Sequence, residues 1–441
     1  MNREENSDSI PNDIILEILS RLPINSIERF RCVSKLWGSM LHKPYFNELF
    51  LTRSLARPRL LIGVRQHREW SFFLAPQPHN HYGKPLSLVV AADFHIKCSL
   101  DNSLAMCRYA SGLLYFPSLQ LSCKDEDGAG VICNPITGQF EILHRLRLGT
   151  GHRRTCVQRG PITSRDHSGG LIGFDPIGGQ FKVLSMNNTV NNKMARYILT
   201  LGTEKERWRK IQCPYNEDDR NGGVCINGIL YFTVYDCDTR SHLIACFDVR
   251  FEKFKFLDIC CQYGLCTTLI NYEGKLGVIK WKCAEDGGFP LELCMWVLED
   301  LEKQEWSKFA YTLKADNKVV QVDDYNLSVV GVTASGDIVL IKETAFKPFY
   351  VFYFNPERNH LLSVEIQGLG EDHDWSKYHA VCAFVDYVED LQFNIMQATS
   401  LNPLEQNHRP RSTSTLSRED LQVRTVSQLG QDRRTLDSFQ K

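Results

Sequence analysis

One short unit recurs between residues 131 and 362, and this recurrence constrains the fold more than any other feature of the sequence. Each copy has a run of β-branched or aromatic residues, then an Asn or Asp, then a second such run. The polar residues of the five copies are Asn134, Asp175, Asp248, Asp300 and Asn355. Asn and Asp favour turns because their short side chains hydrogen-bond to neighbouring backbone groups. Each copy is therefore predicted to be a strand, a turn and a strand.

The spacing of the copies indicates a repeat architecture. Successive copies are separated by 41, 73, 52 and 55 residues, near or above the roughly 40 to 50 residues of a propeller blade. The longest gap is predicted to contain a further unit. Short antiparallel units that cannot bury a face alone are stabilised by stacking. A kelch-like β-propeller is therefore the first prediction for this all-β region, and an irregular β-sandwich is the second.

The N-terminal segment has a helical period instead. Ile14, Ile18 and Leu22 recur at four-residue steps, and Ile15 and Leu19 extend the same apolar face. Asp13 suits the start of this helix and Pro23 its end, because proline has no N–H to donate. A second helix is predicted from about residue 25 to Pro44, and a third, shorter one follows. The segment is thus predicted to be a small all-α domain of three short helices.

This helical segment has more apolar side chains than it can hide. A domain of about 45 residues has a small interior, so part of its apolar surface is predicted to stay exposed. An exposed helical strip of Ile and Leu is typical of a surface that binds a helical protein partner. The alternative is a helical cap that packs on the following domain, and the pattern alone leaves both open.

Charge and composition exclude several classes of protein. The 441 residues include 51 basic and 52 acidic side chains, for a net charge of -1. Such a balance gives no general attraction to nucleic acids or anionic membranes. No apolar run approaches the ~18 to 20 residues that span a bilayer, and the first residues are polar where a signal peptide would be apolar. We expect a soluble intracellular protein of the cytoplasm, the nucleus or both, with no nucleic-acid or membrane partner.

Neither a metal nor a cofactor is predicted. The 16 cysteines show no repeating framework and no C-x-x-C pair, so they are interpreted as reduced thiols that mostly fill the core. The densest basic stretch, Arg145 to Arg165, could bind an acidic or phosphorylated ligand, but a solvated loop is the favoured interpretation.

Residues Ile10–Pro23 and Ser26–Trp37 resemble the F-box motif, with the Leu-Pro, Cys-Val-Ser-Lys and Trp positions all present. The main departure is Ile10, where the family most often has Leu. The resemblance implies docking to a Skp-type adaptor, which links such proteins to a cullin-based ubiquitin ligase. The adaptor-binding residues that it implies are Ile10, Pro11, Ile14, Ile18, Leu19, Leu22, Pro23, Ile27, Cys32, Val33 and Trp37.

The region from about Arg59 to Asp390 resembles the F-box-associated domain found behind plant-type F-boxes. The resemblance rests on the order of several pieces, among them Asn134 to Leu143, Gly173 to Leu184 and Phe247 to Phe254. It implies a module that recruits an unidentified protein substrate. The predicted organisation is an F-box domain over residues 4–56, a β domain over 57–392, and a polar, disordered tail over 393–441.

Enzymatic signatures are missing from the sequence. It contains no P-loop, no G-x-S-x-G elbow and no H-E-x-x-H motif. The predicted function is therefore that of a non-catalytic, substrate-recognising subunit of an SCF-type (Skp–cullin–F-box) ubiquitin ligase, with no assigned substrate-binding residues. The alternative is a glycan- or protein-binding propeller that acts outside any ligase. A propeller oxidase, which would need a bound metal such as copper, is a remote third.

Overall fold

The computed structural model describes residues 10–66, 69–78, 87–99, 107–119, 129–135, 138–143, 170–188, 194–202, 207–217, 222–236, 239–259, 261, 267–282, 291–313, 327–342, 348–369 and 380–391. The predicted tail, residues 393–441, and the basic stretch, residues 145–165, lie outside the described residues.

The helical domain has four helices, whereas three were predicted. They are α1 (Asn12–Leu19), α2 (Ile24–Arg31), α3 (Lys35–Leu41) and α4 (Pro44–Leu55). The predicted second helix is divided because Ser34 is extended and its hydroxyl accepts a hydrogen bond from the Trp37 N–H at 3.2 Å. This is the geometry of an N-cap, which starts a new helix.

The four helices enclose a small core of their own. Phe46 and Phe50 of α4 lie at its centre with their rings 6.3 Å apart, and both are fully buried. The other buried members are Leu16, Leu19, Ile24, Ile27, Met40 and Leu41.

The rest of the described chain is all β. In chain order its strands are β1 (Arg59–Gln66), β2 (Glu69–Pro76), β3 (Ser87–Ala91), β4 (Asp93–Ser99), β5 (Arg108–Ala110), β6 (Leu113–Leu119), β7 (Ala129–Cys133), β8 (Phe140–Ile142), β9 (Gly170–Asp175), β10 (Gln180–Asn188), β11 (Met194–Thr200), β12 (Arg209–Ile211) and β13 (Asn216–Glu217). They continue with β14 (Gly223–Ile226), β15 (Ile229–Asp236), β16 (Ser241–Asp248), β17 (Lys253–Asp258), β18 (Thr267–Tyr272), β19 (Lys275–Lys282), β20 (Leu291–Asp300), β21 (Glu305–Leu313), β22 (Leu327–Val332), β23 (Ile338–Lys342), β24 (Phe349–Asn355), β25 (His360–Gln367) and β26 (Ala380–Tyr387).

These strands form six sheets that are the blades of a propeller, and all their strand pairs except β3 with β25 are antiparallel. Blade 1 has the order β26-β1-β2-β4, and blades 2 and 3 contain β5 to β8 and β9 to β12. Blades 4 and 5 contain β13 to β17 and β18 to β21, and blade 6 contains β22 to β25. The first strands β5, β9, β14, β18, β22 and β26 lie beside one another around the centre of the ring. The propeller prediction is confirmed and the β-sandwich alternative is wrong, while the kelch-like character stays a prediction.

The two ends of the propeller close the ring together. The last strand, β26, pairs antiparallel with β1, from Arg59 opposite Tyr387 to Arg65 opposite Ala380. In addition, β3 leaves blade 1 and pairs parallel with β25 of blade 6. Residues from both ends of the domain therefore complete the same blade and tie it to its neighbour.

Each blade buries its faces against the next blade. Six apolar clusters each join two neighbouring blades; for example, Leu60 of blade 1 and Val351 of blade 6 belong to one cluster, and Leu171 of blade 3 and Phe232 of blade 4 to another. A single blade of this kind has no core of its own, so the ring must form for the strands to be stable.

The predicted turns at Asp175, Asp248, Asp300 and Asn355 are present and share one geometry. The side-chain oxygen of Asp248 accepts hydrogen bonds from the N–H groups of Arg250 and Phe251 at 2.9 and 2.8 Å. Asp175, Asp300 and Asn355 accept comparable bonds within their own turns. Four residues after each Asn or Asp the backbone is left-handed, with positive φ at Gly138, Gly179, Glu252, Gln304 and Asn359.

One copy of the repeated unit has a different place in its blade. The Asp175 turn joins the first and second strands of blade 3, whereas the Asn134, Asp248, Asp300 and Asn355 turns join third and fourth strands. This difference explains the short gap before Asp175 and the long gap after it. The unit predicted within the long gap is the β11–β12 hairpin, the third and fourth strands of blade 3.

Candidate partner-binding site

An exposed apolar strip follows one side of α1. Ile14 and Ile18 are one helical turn apart and are 51% and 52% exposed, and Ile10, just before the helix, is 59% exposed. The opposite side of α1 inserts Leu16 and Leu19 into the helical core. The helix thus carries apolar side chains on two sides, and only one of them is covered.

A second exposed apolar pair lies where α2 meets α3. Val33 and Leu36 are more than half exposed, although both belong to a small domain that has a core of its own. Exposed aliphatic side chains at this density are typical of a binding surface. The sequence analysis did not select Leu36; its three-residue spacing from Val33 is the signal that could have identified it.

The residues predicted to bind the adaptor divide into three groups. Exposed members are Ile10, Pro11, Ile14, Ile18, Pro23, Cys32 and Val33. Leu22 and Trp37 are half-buried, and the Trp37 ring packs on Phe30 with 5.2 Å between ring centroids. Leu19 and Ile27 are buried in the helical core, so burial removes them from the surface set. Periodicity locates an apolar face, but it does not say which half of a wide face points inward.

A shared carboxylate links the first and last helices behind the strip. Glu17 of α1 forms ion pairs with Arg21, at 2.7 Å, and with Arg53 of α4. The hydrogen bond from Arg21 lowers the pKa of Glu17 below its ordinary value. The contact therefore favours the packing of α1 against α4 as long as Glu17 is ionised.

The helical domain is also attached to the propeller through the chain that follows β26. The buried Glu389 accepts a hydrogen bond from the Ile24 N–H, at the start of α2, with 3.3 Å between N and Oε1. The Glu389 N–H donates to the Ser54 hydroxyl of α4 at 2.8 Å, and Leu391 packs on the helical core. A cleft of about 290 Å³ between the two domains is lined by residues that include Arg21, Arg53, Arg57, Arg59 and Glu389.

Two protein families match the two parts of the chain. Residues 7–49 match the F-box domain, and residues 59–388 match the F-box associated beta propeller domain, which alone covers more than half of the chain. The chain belongs to the F-box protein family.

Relatives of this F-box protein match it over both domains. A putative F-box protein of Arabidopsis thaliana is 53% identical over 420 residues, which cover 92% of this chain and 100% of the relative. Another F-box protein of Arabidopsis thaliana is 49% identical over 460 residues, covering 100% of this chain and 94% of the relative. F-box only protein 12 of the same plant is 47% identical over 409 residues, which cover 90% of this chain and 86% of that protein. The similarity therefore extends through the propeller as well as the F-box.

An ion-pair network joins blades 3 and 4 of this F-box protein. Glu252 Oε1 lies 2.8 Å from Lys182 Nζ, and the two Glu252 oxygens lie 2.8 and 3.0 Å from the guanidinium of Arg209. Burial alone would raise the pKa of Glu252, but the hydrogen bonds from Arg209 and Lys182 hold it below its ordinary value. The hydrogen bond between Glu252 and Arg209 also raises the pKa of Arg209.

Three cysteine thiols of this F-box protein have raised pKa values. Burial raises the pKa of the Cys246 thiol to about 12 and also raises the pKa values of the Cys107 and Cys225 thiols. Thiols of raised pKa stay protonated at neutral pH and are poor nucleophiles. The described residues contain no cluster of three His, Cys, Asp or Glu side chains that could hold a metal ion. They also include no helix that is long and apolar enough to cross a membrane.

Proposed function

We propose that this F-box protein is a substrate-recognition subunit of an SCF-type ubiquitin ligase. Its F-box would bind a Skp-type adaptor, and its propeller would hold a protein substrate. The observation that carries the proposal is the exposed strip of Ile10, Ile14 and Ile18 on a helical domain that matches the F-box family. Full burial of such a side chain contributes about 1.5 to 3 kcal/mol, and because each of the three is still about half exposed, together they can supply roughly 2 to 4 kcal/mol to an interface.

The junction between the domains supports the same proposal. Glu389 and Leu391 connect the end of the propeller to α2 and α4, so the two domains are held by contacts as well as by the short linker between α4 and β1. A defined orientation would present a substrate lysine at a fixed place relative to the ligase, and proximity of this kind accelerates a reaction between two bound groups. Ubiquitin transfer itself would belong to the partner subunits, and this chain would be non-catalytic. We also propose that it acts in the cytoplasm, the nucleus or both.

The test is capture of the full chain by a purified Skp-type adaptor. Replacing Ile14 and Ile18 with Asp places two charges on the strip and leaves the buried Leu16 and Leu19 in place. Loss of two apolar contacts of about 1.5 kcal/mol each should weaken capture roughly a hundredfold or more. The matched control is Ile177→Asp, which changes an Ile that is 76% exposed on the propeller. Circular dichroism of each variant should show the same β content as the wild type.

The outcome separates the two classes of function. Capture that is lost with Ile14→Asp/Ile18→Asp and retained with Ile177→Asp supports the ligase proposal. Absence of capture by the wild-type chain would overturn it and leave a binding propeller that works outside a ligase.

A further inference from the structure

The turns of the propeller share one backbone but differ at their tips. The two residues that follow the Asn or Asp by two and three positions are exposed in each described case. In blades 5 and 6 an acidic residue is followed by a basic one, Glu302 by Lys303 and Glu357 by Arg358. In blade 4 they are Arg250 and Phe251, and Phe251 is 67% exposed. Among blades 4, 5 and 6, only blade 4 therefore has a turn whose tip combines a cation with an apolar side chain.

A second apolar tip lies beside the first, on blade 3. Ile177 is 76% exposed at the turn between β9 and β10. The preceding residue, Pro176, lies against Gly228 at the first turn of blade 4, and a side chain at Gly173 of β9 would meet Val249 within 2.7 Å. Blades 3 and 4 therefore approach closely here, and their apolar tips belong to one surface.

Exposed cations surround these tips. We define the turn patch as Ile177, Arg209, Arg250, Phe251 and Lys253. The three cations of the patch are exposed. Arg250 lies over the Phe251 ring, 5.6 Å from its centroid, and Arg209 reaches toward the same turn through its ion pair with Glu252.

The carboxylates in the patch are engaged by neighbouring groups of the protein. Glu252 is bound by Lys182 and Arg209, and Asp248 accepts the two N–H groups of its own turn. The ammonium of Lys182 is buried, and it forms an ion pair with the Glu252 carboxylate inside the protein. Asp175, which accepts the Ile177 N–H, is the third acid at these turns. Together with Lys182 the three exposed cations outnumber these three acids by one, in a chain whose net charge is -1.

The turn patch lies on the side of the propeller that carries the F-box. In blade 1 the first strand is β26 and the second is β1. The end of β26 lies beside the start of β1, and in the other blades a turn connects these two positions. In an antiparallel sheet that turn and the turn between third and fourth strands lie on one side. The Ile177 and Phe251 turns are of these two kinds, so they lie on the side where α4 joins the propeller.

We propose that the turn patch binds an acidic peptide segment that carries an apolar anchor residue. Charge complementarity selects the acidic segment, and the exposed Ile177 and Phe251 select an apolar side chain within it. A nucleic acid fits less well, because single strands bind to several aromatic rings on which successive bases stack, and Phe251 is the one aromatic residue of the patch. The inference rests on the proposed function: the peptide would be the recognised segment of the substrate.

The test is selection of a random peptide library, displayed on phage, on the immobilised full chain, followed by affinity measurements with a synthesised peptide from the enriched set. Enriched sequences should combine Asp or Glu with an aromatic or aliphatic residue. Phe251→Ser and Arg250→Glu should each weaken binding about tenfold or more, as loss of one buried apolar side chain or reversal of one contacting charge predicts. The matched controls are Phe309→Ser, at another exposed aromatic residue, and Lys303→Glu, at the tip of the equivalent turn in blade 5.

The results distinguish this inference from the proposed function. Binding that is lost in the two patch variants and kept in both controls supports the inference. It is overturned if enriched peptides lack acidic residues, if the patch variants bind them as well as the wild type does, or if no peptide is enriched. It is also overturned if a labelled single-stranded oligonucleotide, and not a peptide, shows the patch dependence. Adaptor capture should be equal for the wild type and Phe251→Ser. Capture therefore tests the ligase proposal, and peptide binding tests the turn patch, independently of each other.

Discussion

At the scale of single residues, Glu252 combines an unfavourable backbone conformation with favourable ion pairs of its side chain. Its φ of 57° is in the left-handed region, which costs a non-glycine residue about 1 to 2 kcal/mol. Its carboxylate balances the buried ammonium of Lys182 and binds Arg209 of blade 3. The acidic side chain at this position is therefore explained by contacts between blades rather than by the turn.

Replacement of Glu252 with Gln should destabilise the propeller by about 3 kcal/mol, because it leaves the ammonium of Lys182 buried without a carboxylate. The matched control is Glu302→Gln in the corresponding turn of blade 5. Glu302 pairs with Lys255 but is 84% exposed, and such pairs contribute about 0 to 1 kcal/mol. Urea denaturation of both variants measures the difference. Equal stability of the two variants would contradict the role assigned to Glu252.

The same ion pairs predict a dependence of stability on pH. The pKa of Glu252 is lower in the folded protein than its ordinary value of 4.5, so folding favours the ionised carboxylate. Its contribution should be fully present above that ordinary value and should disappear as the pH falls through the lower, folded-state pKa. We expect the stability difference between the wild type and Glu252→Gln to be constant from neutral pH to about pH 5 and to shrink below about pH 4. Urea denaturation at several pH values checks this, and a difference that persists at the lowest pH would contradict it.

At the scale of elements, short local interactions decide where helices and strands begin. Ser34 separates α2 from α3, and the Asn or Asp of each repeated unit ends one strand and starts a turn. The turns were predicted correctly because the interaction is confined to a few consecutive residues. The additional helix was missed because Phe30, Val33, Trp37 and Met40 continue an apolar period across the break.

Ser34→Ala should destabilise α3 by about 1 kcal/mol through loss of the N-cap. Hydrogen exchange of α3 amides should become about fivefold faster in the variant if these amides exchange through local opening of the helix. Ser39→Ala is the control, since the Ser39 hydroxyl bonds to the Leu36 carbonyl within the helix and caps nothing. Unchanged exchange in Ser34→Ala would show that packing of Met40 and Leu41 alone holds α3 in place.

At the scale of the whole molecule, the chain end of the propeller performs two tasks. The strand β26 closes the ring by pairing with β1, and the residues just after it attach the F-box. The attachment depends on Glu389, which is buried, and on Leu391, which packs against the helices. Closure of the propeller and placement of the F-box are therefore linked through a few residues.

A Glu389→Ala/Leu391→Ser variant should release the F-box from the propeller without opening the ring. We expect faster proteolysis at residues 56–58, between α4 and β1, because the contacts that cover this linker are lost. Glu292→Ala, at an exposed position of β20, is the control and should leave the cleavage rate unchanged. Adaptor capture should persist in the double variant. Unaltered proteolysis there would mean that the remaining contacts suffice to hold the F-box.

The sequence by itself determined the features that depend on neighbouring residues: the helical N-terminus, the strand–turn–strand units and the apolar face that contains Ile14 and Ile18. Tertiary structure alone decided the rest. It placed Leu19 and Ile27 in the core, made the Asp175 turn part of a different pair of strands, and closed the ring with β26. It also brought Arg209 of blade 3 to Glu252 of blade 4 and placed Pro176 of blade 3 against Gly228 of blade 4. The physical reason is that periodicity and turn chemistry act over a few residues, whereas burial and charge pairing join side chains that lie far apart in the chain.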